Sequence, residues 1–193
     1  MAGCASVQMA SLEDDLNAKS FEPSKEKASV YIYRNETMGA AVPMTVNVNG
    51  RAIGQTAAKT YFKLNLLPGV YNVESTAENI SSLALQADKG RNYYLWQEVK
   101  MGMWMARTQL SQVDESIGRS GVQESKLVAL RVSEAEILPI AAVKSALEVA
   151  GKKTETDISD ASEKLKQLQK MFDEKLISEQ EFNQKRKEIL AKL

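Results

Sequence analysis

Histidine is absent from this 193-residue chain, and cysteine occurs once, as Cys4. The first absence removes the side chain most used as general base and metal ligand, and the usual partner of a serine or cysteine nucleophile. A lone thiol forms no internal disulfide, and no CxxC or Cys/His cluster is present to hold zinc. A surplus of charge is missing too: 25 Lys and Arg offset 25 Asp and Glu. Nucleic-acid binders need positive charge to displace counterions, so that class of partner is set aside. No apolar run approaches the ~20 residues that cross a bilayer, so no transmembrane helix is predicted. These absences predict no metal, no cofactor and no catalytic residue. Catalysis by carboxylates or lysine is the route left open, with Asp114 and Glu115 in a predicted loop and Glu98 nearby. Charged residues in turns are usually only solvated, and a non-enzymatic protein is expected.

What is present begins with a core: hydrophobic residues make up 44% of the chain, enough to exclude wholesale disorder. The single thiol lies in the opening MAGCAS, an unusual place for a residue type that is normally buried. Ala2-Gly3-Cys4 is similar to the last three positions of a bacterial lipobox, with Met1 where the large aliphatic residue would stand. The resemblance implies lipidation of Cys4 after removal of a signal peptide. With Ala5 rather than aspartate next, it also implies sorting to the outer membrane, facing the periplasm. Residues Ala5–Lys27 are mostly polar and carry Pro23. They read as a flexible tether with a span of roughly 26 Å, so residues 1–27 are expected to be lipobox remnant and tether.

From Ala28 the hydrophobic period becomes two. ASVYIY, MTVNVNGRAIGQT, TYFKLNLLPGVYNVES and SLALQADKGRNYYLWQEV are alternating or β-branched runs separated by turn chemistry. Asn49-Gly50 predicts a type I′ hairpin turn, Pro68-Gly69 a type II turn, and Asp88-Lys89-Gly90 a longer one. Six or seven short strands at this spacing predict a mainly β fold, an antiparallel β-sandwich over residues 28–132. The order VNGRAIGQT, LPGVYNVES, GRNYYL resembles PEGA-like sandwiches, in particular a family of bacterial lipoproteins whose domain has no assigned function. That resemblance implies a transthyretin- or immunoglobulin-like sandwich and supplies no catalytic residue. Residues 133–150 are apolar and alanine-rich, and predict a short helix or connector with Pro139 in its first turn and Gly151 as its stop.

One strand is rich in aromatics and methionine, YYLWQEVKMGMWM over residues 93–105. By parity Tyr93, Leu95, Val99, Met101, Met103 and Met105 share one face, expected to be core. Tyr94, Trp96, Glu98, Lys100 and Trp104 share the other. Tyr94, Trp96 and Trp104 are either a platform for a glycan such as peptidoglycan, or for a partner protein, or rings packed beneath the Ala135–Ala150 helix or a neighbouring strand.

After a polar linker, 151–159, the period turns helical. Leu165, Leu168 and Phe172 form one stripe, and Leu176-Ile177 mark a break. Ser178 with Glu181 makes a capping box, and Phe182, Ile189 and Leu193 form a second stripe. Asp160 with Glu163 is a further candidate cap. This pattern closely resembles the short C-terminal domain called SHOCT. The resemblance is carried by Leu165, Leu168, Leu176-Ile177-Ser178, Glu181-Phe182 and Ile189-Leu190, with Lys175 where that family usually has glycine. An α-helical hairpin is therefore expected over 160–193. Two short helices without disulfide or metal are marginal alone in water, so the apolar stripes predict a partner: the sandwich, another copy of the chain, or a different protein.

Overall fold

A computed structural model of the chain describes residues 7–101, 106–142, 164, 168–171, 173 and 178–190, and divides into two units, Met1–Ala142 and Val143–Leu193. The first unit is mainly β. After a short helix α1 (Leu12–Ala18) come β1 (Ala28–Arg34), β2 (Met44–Val48), β3 (Arg51–Thr56), β4 (Thr60–Leu66) and β5 (Gly69–Thr76). They are followed by β6 (Ile80–Ala87), β7 (Asn92–Met101), β8 (Ala106–Val113), α2 (Glu115–Gln123) and the two-residue β9 (Lys126–Leu127). One sheet has the order β8-β7-β1-β4-β9 and the other β3-β2-β5-β6.

The expected alternation is clearest in β2, where Met44, Val46 and Val48 are buried and the residues between them are not. The β2–β3 hairpin turns at Asn49 and Gly50, both with the positive φ, 51° and 77°, that the sequence predicted. Val46 pairs with Gly54 and Asn47 with Ala52, so Ile53 is the extra residue of a bulge and is fully buried. Pro68-Gly69 and Asp88-Lys89-Gly90 do not close hairpins. Each carries the chain from one sheet to the other.

Two features depart from an all-antiparallel reading. β1 runs parallel to β7, with Val30 opposite Tyr93 and Tyr33 opposite Trp96, and β9 runs parallel to β4. β1 is also buried along its whole length. Ala28, Val30 and Ile32 enter the core shared with Val46, Phe62, Leu64, Val73 and Leu95 from the two sheets. Tyr31 and Tyr33 enter a second cluster with Ala18, Phe21, Tyr61, Tyr94 and Val122. A strand covered on both faces carries apolar residues at both parities, and that is why ASVYIYR reads as a near-continuous run rather than an alternation.

Both open sides between the sheets are closed. On one side Asn79 acts as a surrogate strand. Its Oδ1 accepts from Thr108 N at 2.9 Å and its Nδ2 donates to Thr108 O at 3.0 Å. Ser81 Oγ accepts from Leu110 N at 3.0 Å. On the other side residues 126–139 form a strap. Val128 N donates to Tyr61 O and Arg131 N to Ile53 O, each at 2.9 Å. Glu134 accepts from Asn65 N at 2.7 Å, Asn49 Nδ2 donates to Leu138 O at 2.7 Å, and Arg51 pairs with Glu136. A strap and a side-chain ladder satisfy backbone groups that would otherwise leave a sheet edge open to pairing. The connector expected over 133–150 contributes its first seven residues to this strap. It includes a 3₁₀ turn at Glu134–Glu136 capped by Ser133, with helix from Ile140 through Ala142 and the rest outside the described residues.

The stretch 7–27 is not a free tether. Ala129 N donates to Gln8 O at 2.9 Å, Ala10 N donates to Leu127 O at 3.0 Å, and Met9 forms a β-bridge with Val128. Ser11 then caps α1, accepting from Asp14 N at 3.0 Å. Asp15 is the main fastener. Its carboxylate accepts from Tyr61 Oη at 2.9 Å, Leu127 N at 2.8 Å and Lys19 Nζ at 2.8 Å. Burial alone would raise its pKa, but the hydrogen bonds from Lys19, Tyr61 and the Leu127 amide prevail and hold it below the usual carboxylate range.

In the second unit, residues 164, 168–171 and 173 are helical, and α3 spans Glu179–Leu190. The predicted capping box is present: Ser178 N donates to Glu181 Oε2 at 2.9 Å and Glu181 N to Ser178 Oγ at 3.4 Å. Leu168 is buried and Phe182 half-buried. Leu165, Phe172, Leu176, Ile177 and Leu193 lie outside the described residues, as do the linker 151–159 and the side chains of Ile189 and Leu190.

Candidate functional site

The outer face of the five-stranded sheet carries the greatest concentration of aromatic side chains among the described residues. Tyr31 and Tyr94, neighbours across the parallel β1–β7 pairing, stack with centroids 5.2 Å apart and planes 13° from parallel. Phe21 leans on both, at 5.5 Å and 6.2 Å. Tyr31 Oη donates to Ala18 O at 2.9 Å, which ties the end of α1 to the sheet. Helix α2 roofs the other end of the face. It approaches so closely that a Cβ on Gly118 would lie 2.2 Å from Tyr94 Cβ, and one on Gly121 2.0 Å from Tyr33 Cε2.

Beside α2 this layer opens into a hollow of about 510 Å³, lined by Tyr33, Asn35, Trp96, Ser116, Ile117, Ser120 and Gly121. No carboxylate lines it. Burial, with Glu124 and Glu36 adding to it, pushes the Tyr33 phenol up to about 12, so the ring is neutral and is no base near pH 7. Trp96 Nε1 and Asn35 Oδ1 are buried without a hydrogen-bond partner, one a donor and the other an acceptor. An aromatic wall without a carboxylate suits stacking against a neutral ligand better than it suits proton transfer.

A second groove, about 570 Å³, runs between α1 and the strap and includes Asp14, Asn17, Lys63, Asn65 and Glu134 in its wall. Lys63 Nζ sits 5.8 Å over the Tyr31 ring. Burial pushes its ammonium down, with Glu134 opposing. Glu134 is already engaged by the Asn65 amides, so the groove is a sealed docking seam more than a reaction site.

Of the three predicted platform residues, Tyr94 and Trp96 are among the described ones. Tyr94 is 1% exposed beneath α2 and Phe21, so it offers no surface to a ligand. Its cover comes from α2 and Phe21. Trp96 is half-buried at the hollow, and Trp104 lies outside the described residues, as does Cys4. Parity assigned Tyr93, Leu95 and Val99 to the core as found, but Met101 is 83% exposed at the strand end. Of the carboxylates, Asp114 is the N-cap residue of α2, Glu115 pairs with Arg119 at 2.6 Å, and Glu98 pairs with Lys100. No group of three metal-ligating side chains occurs among the described residues.

The reading of single runs missed Tyr33, Asn35 and α2. A signal for them existed in the both-parity burial of β1, which requires a cover, and in the Gly118-x-x-Gly121 spacing, which places two missing Cβ atoms on one face of a helix.

Among known proteins, residues 24–109 match a family described as a protein of unknown function, DUF2846. An uncharacterized protein of Haemophilus influenzae is 29% identical over 126 residues, covering 64% of this chain and 75% of that protein. No solved structure matches. The chain is similar to proteins whose two-sheet region carries no assigned activity, and the similarity ends short of α2 on the family side, at residue 109.

Proposed function

We propose that the chain is a non-enzymatic lipoprotein of the Gram-negative envelope, anchored in the outer membrane through acyl chains on Cys4 and facing the periplasm. In this reading residues 28–132 are a PEGA-like, transthyretin- or immunoglobulin-like sandwich serving as a rigid binding module. Residues 160–193 are a SHOCT-like hairpin that self-associates or docks a partner protein through Leu165, Leu168, Phe172, Leu176, Ile177, Phe182, Ile189 and Leu190. The observation that carries the reading is the position of the single thiol. Cys4 precedes by four residues Gln8, whose carbonyl accepts from Ala129 N, and lies in the Ala-Gly-Cys setting that an acylating enzyme would use.

The test is intact mass spectrometry after production in a Gram-negative host behind a lipoprotein leader. The expected product carries diacylglyceryl on sulfur and partitions with outer membranes, and Cys4→Ala releases it. An unmodified thiol on soluble protein would refute the reading. Docking is read separately: deletion of 151–193 should lower the sedimentation mass, and unchanged monomers in both forms count against it.

A second reading is favoured by the hollow. Trp96 would hold a sugar ring of peptidoglycan or another envelope polysaccharide by stacking. Trp96→Ala should then lose retention on isolated sacculi without loss of fold, and equal retention of both proteins rejects it.

A further inference from the structure

The lipid anchor and the docked N-terminal segment together set where the module sits. Resting on the proposed acylation of Cys4, we infer that the protein lies directly on a zwitterionic lipid surface, with Leu12 and Leu16 turned into the headgroup region. A free 23-residue tether would let the domain roam roughly 26 Å from its anchor. That freedom is absent, because Gln8, Met9 and Ala10 are bonded to residues 127–129 and Val7 packs against the core. Only four Cα steps separate Cys4 from Gln8. At 3.3–3.6 Å per residue they reach no more than about 14 Å. One leaflet's polar region is itself about 5–7 Å thick, half the difference between the whole bilayer and its hydrocarbon core. Gln8 is therefore held within about 7–9 Å of the headgroup layer, far less than a free tether would allow.

Two large apolar side chains of α1 are turned outward there: Leu12 is 74% exposed and Leu16 63%. Leu12 and Leu16 are four apart and share a face of α1. The opposite face is committed to the sheet through Asp15 and Ala18. Glu13 and Asp14 flank the leucines and are exposed, which favours a surface without strong negative charge. No lysine or arginine stands beside them between residues 7 and 18 to recruit anionic lipid.

Acylation consumes the thiol of Cys4, so a cysteine introduced elsewhere can be labelled alone. The experiment places an environment-sensitive fluorophore at Leu16→Cys or Leu12→Cys in acylated full-length protein. Ala84→Cys is the control, exposed in β6 of the opposite sheet. Each protein is reconstituted on phosphatidylcholine vesicles containing lipid with a spin label near the headgroup. The expected result is loss of most emission at 16 and 12, with a blue shift, and no loss at 84. Acylated, vesicle-bound protein with equal emission at 16 and 84 overturns the seating while leaving the anchor intact. An unacylated mass removes the anchor and the seating together. Shielding at 16 that is already present in unacylated protein in solution assigns the face to the chain itself or to a second copy, and likewise overturns it.

Discussion

Replacing Gly118 by alanine adds one methyl group to a helix, a change that in an exposed helix gains about 1 kcal/mol from propensity. Here the new carbon would stand 2.2 Å from Tyr94 Cβ and Cγ and 2.6 Å from Cδ1. Relaxed carbon contacts are about 3.5–4.0 Å, so something must yield by well over an ångström. Tyr94 Cβ is one bond from the backbone of β7, which is paired on one side with β1 and on the other with β8. The strand cannot move cheaply, so α2 must lift. Overpacking of this kind costs about 1–3 kcal/mol. Lifting the helix further re-exposes part of Val122 and the Tyr33 and Tyr94 rings, each contributing about 1.5–3 kcal/mol when fully buried. After the propensity gain the net loss is about 2 kcal/mol. With a urea slope of about 2 kcal/mol/M the unfolding midpoint should fall by roughly 1 M, read by tyrosine and tryptophan fluorescence. Ser120→Ala, on the exposed face of the same helix, should leave it unchanged or slightly raised. A Gly118→Ala midpoint equal to the parent's would refute the view that α2 is held at glycine distance from the sheet.

Three further outcomes are expected. The Asp15 carboxyl has a folded pKa below its unfolded value near 3.9. Its contribution is therefore complete above pH 4 and is lost as the pH falls through the lower folded value, and urea midpoints of Asp15→Asn should lack that part of the acid dependence. Arg34 is fully buried and donates to the carbonyls of Val42 at 2.8 Å, Gly39 at 2.7 Å and Met38 at 3.1 Å. Arg34→Lys cannot match that fork and should cost about 2 kcal/mol, with faster amide exchange in the 35–43 loop as the local readout. In the second unit, Ser178→Ala removes the cap of α3 and should cost about 1 kcal/mol of helix stability. Circular dichroism of the full chain would show a shallow loss at 222 nm on warming, and no change would argue that packing alone holds that helix.

Much of the fold was legible because it is local. The Asn49-Gly50 turn, the alternation in β2, the core face of Tyr93, Leu95 and Val99, and the Ser178–Glu181 cap all depend on residues within a few positions of each other. Of the candidate site, Trp96 was legible as a large ring on the strand face opposite that core set. Its companions Tyr33 and Asn35 were not, since they follow a parallel β1–β7 pairing that joins residues some sixty positions apart. Nothing in either run encodes that register.

The N-terminal stretch is the sharper case. Its polar, weakly periodic composition truthfully describes a segment with little apolar surface of its own. What docks it is one carboxylate, Asp15, one ring, Phe21, the bond from Tyr31 to Ala18 O, and two backbone hydrogen bonds at residues 8 and 10. Local sequence thus determined turns, strand faces and caps, where neighbours in the chain supply both partners of each interaction. Strand direction, the burial of Tyr94 and the docking of residues 8–21 were decided only by the assembled sheet, because each needs a partner that the chain delivers from far away.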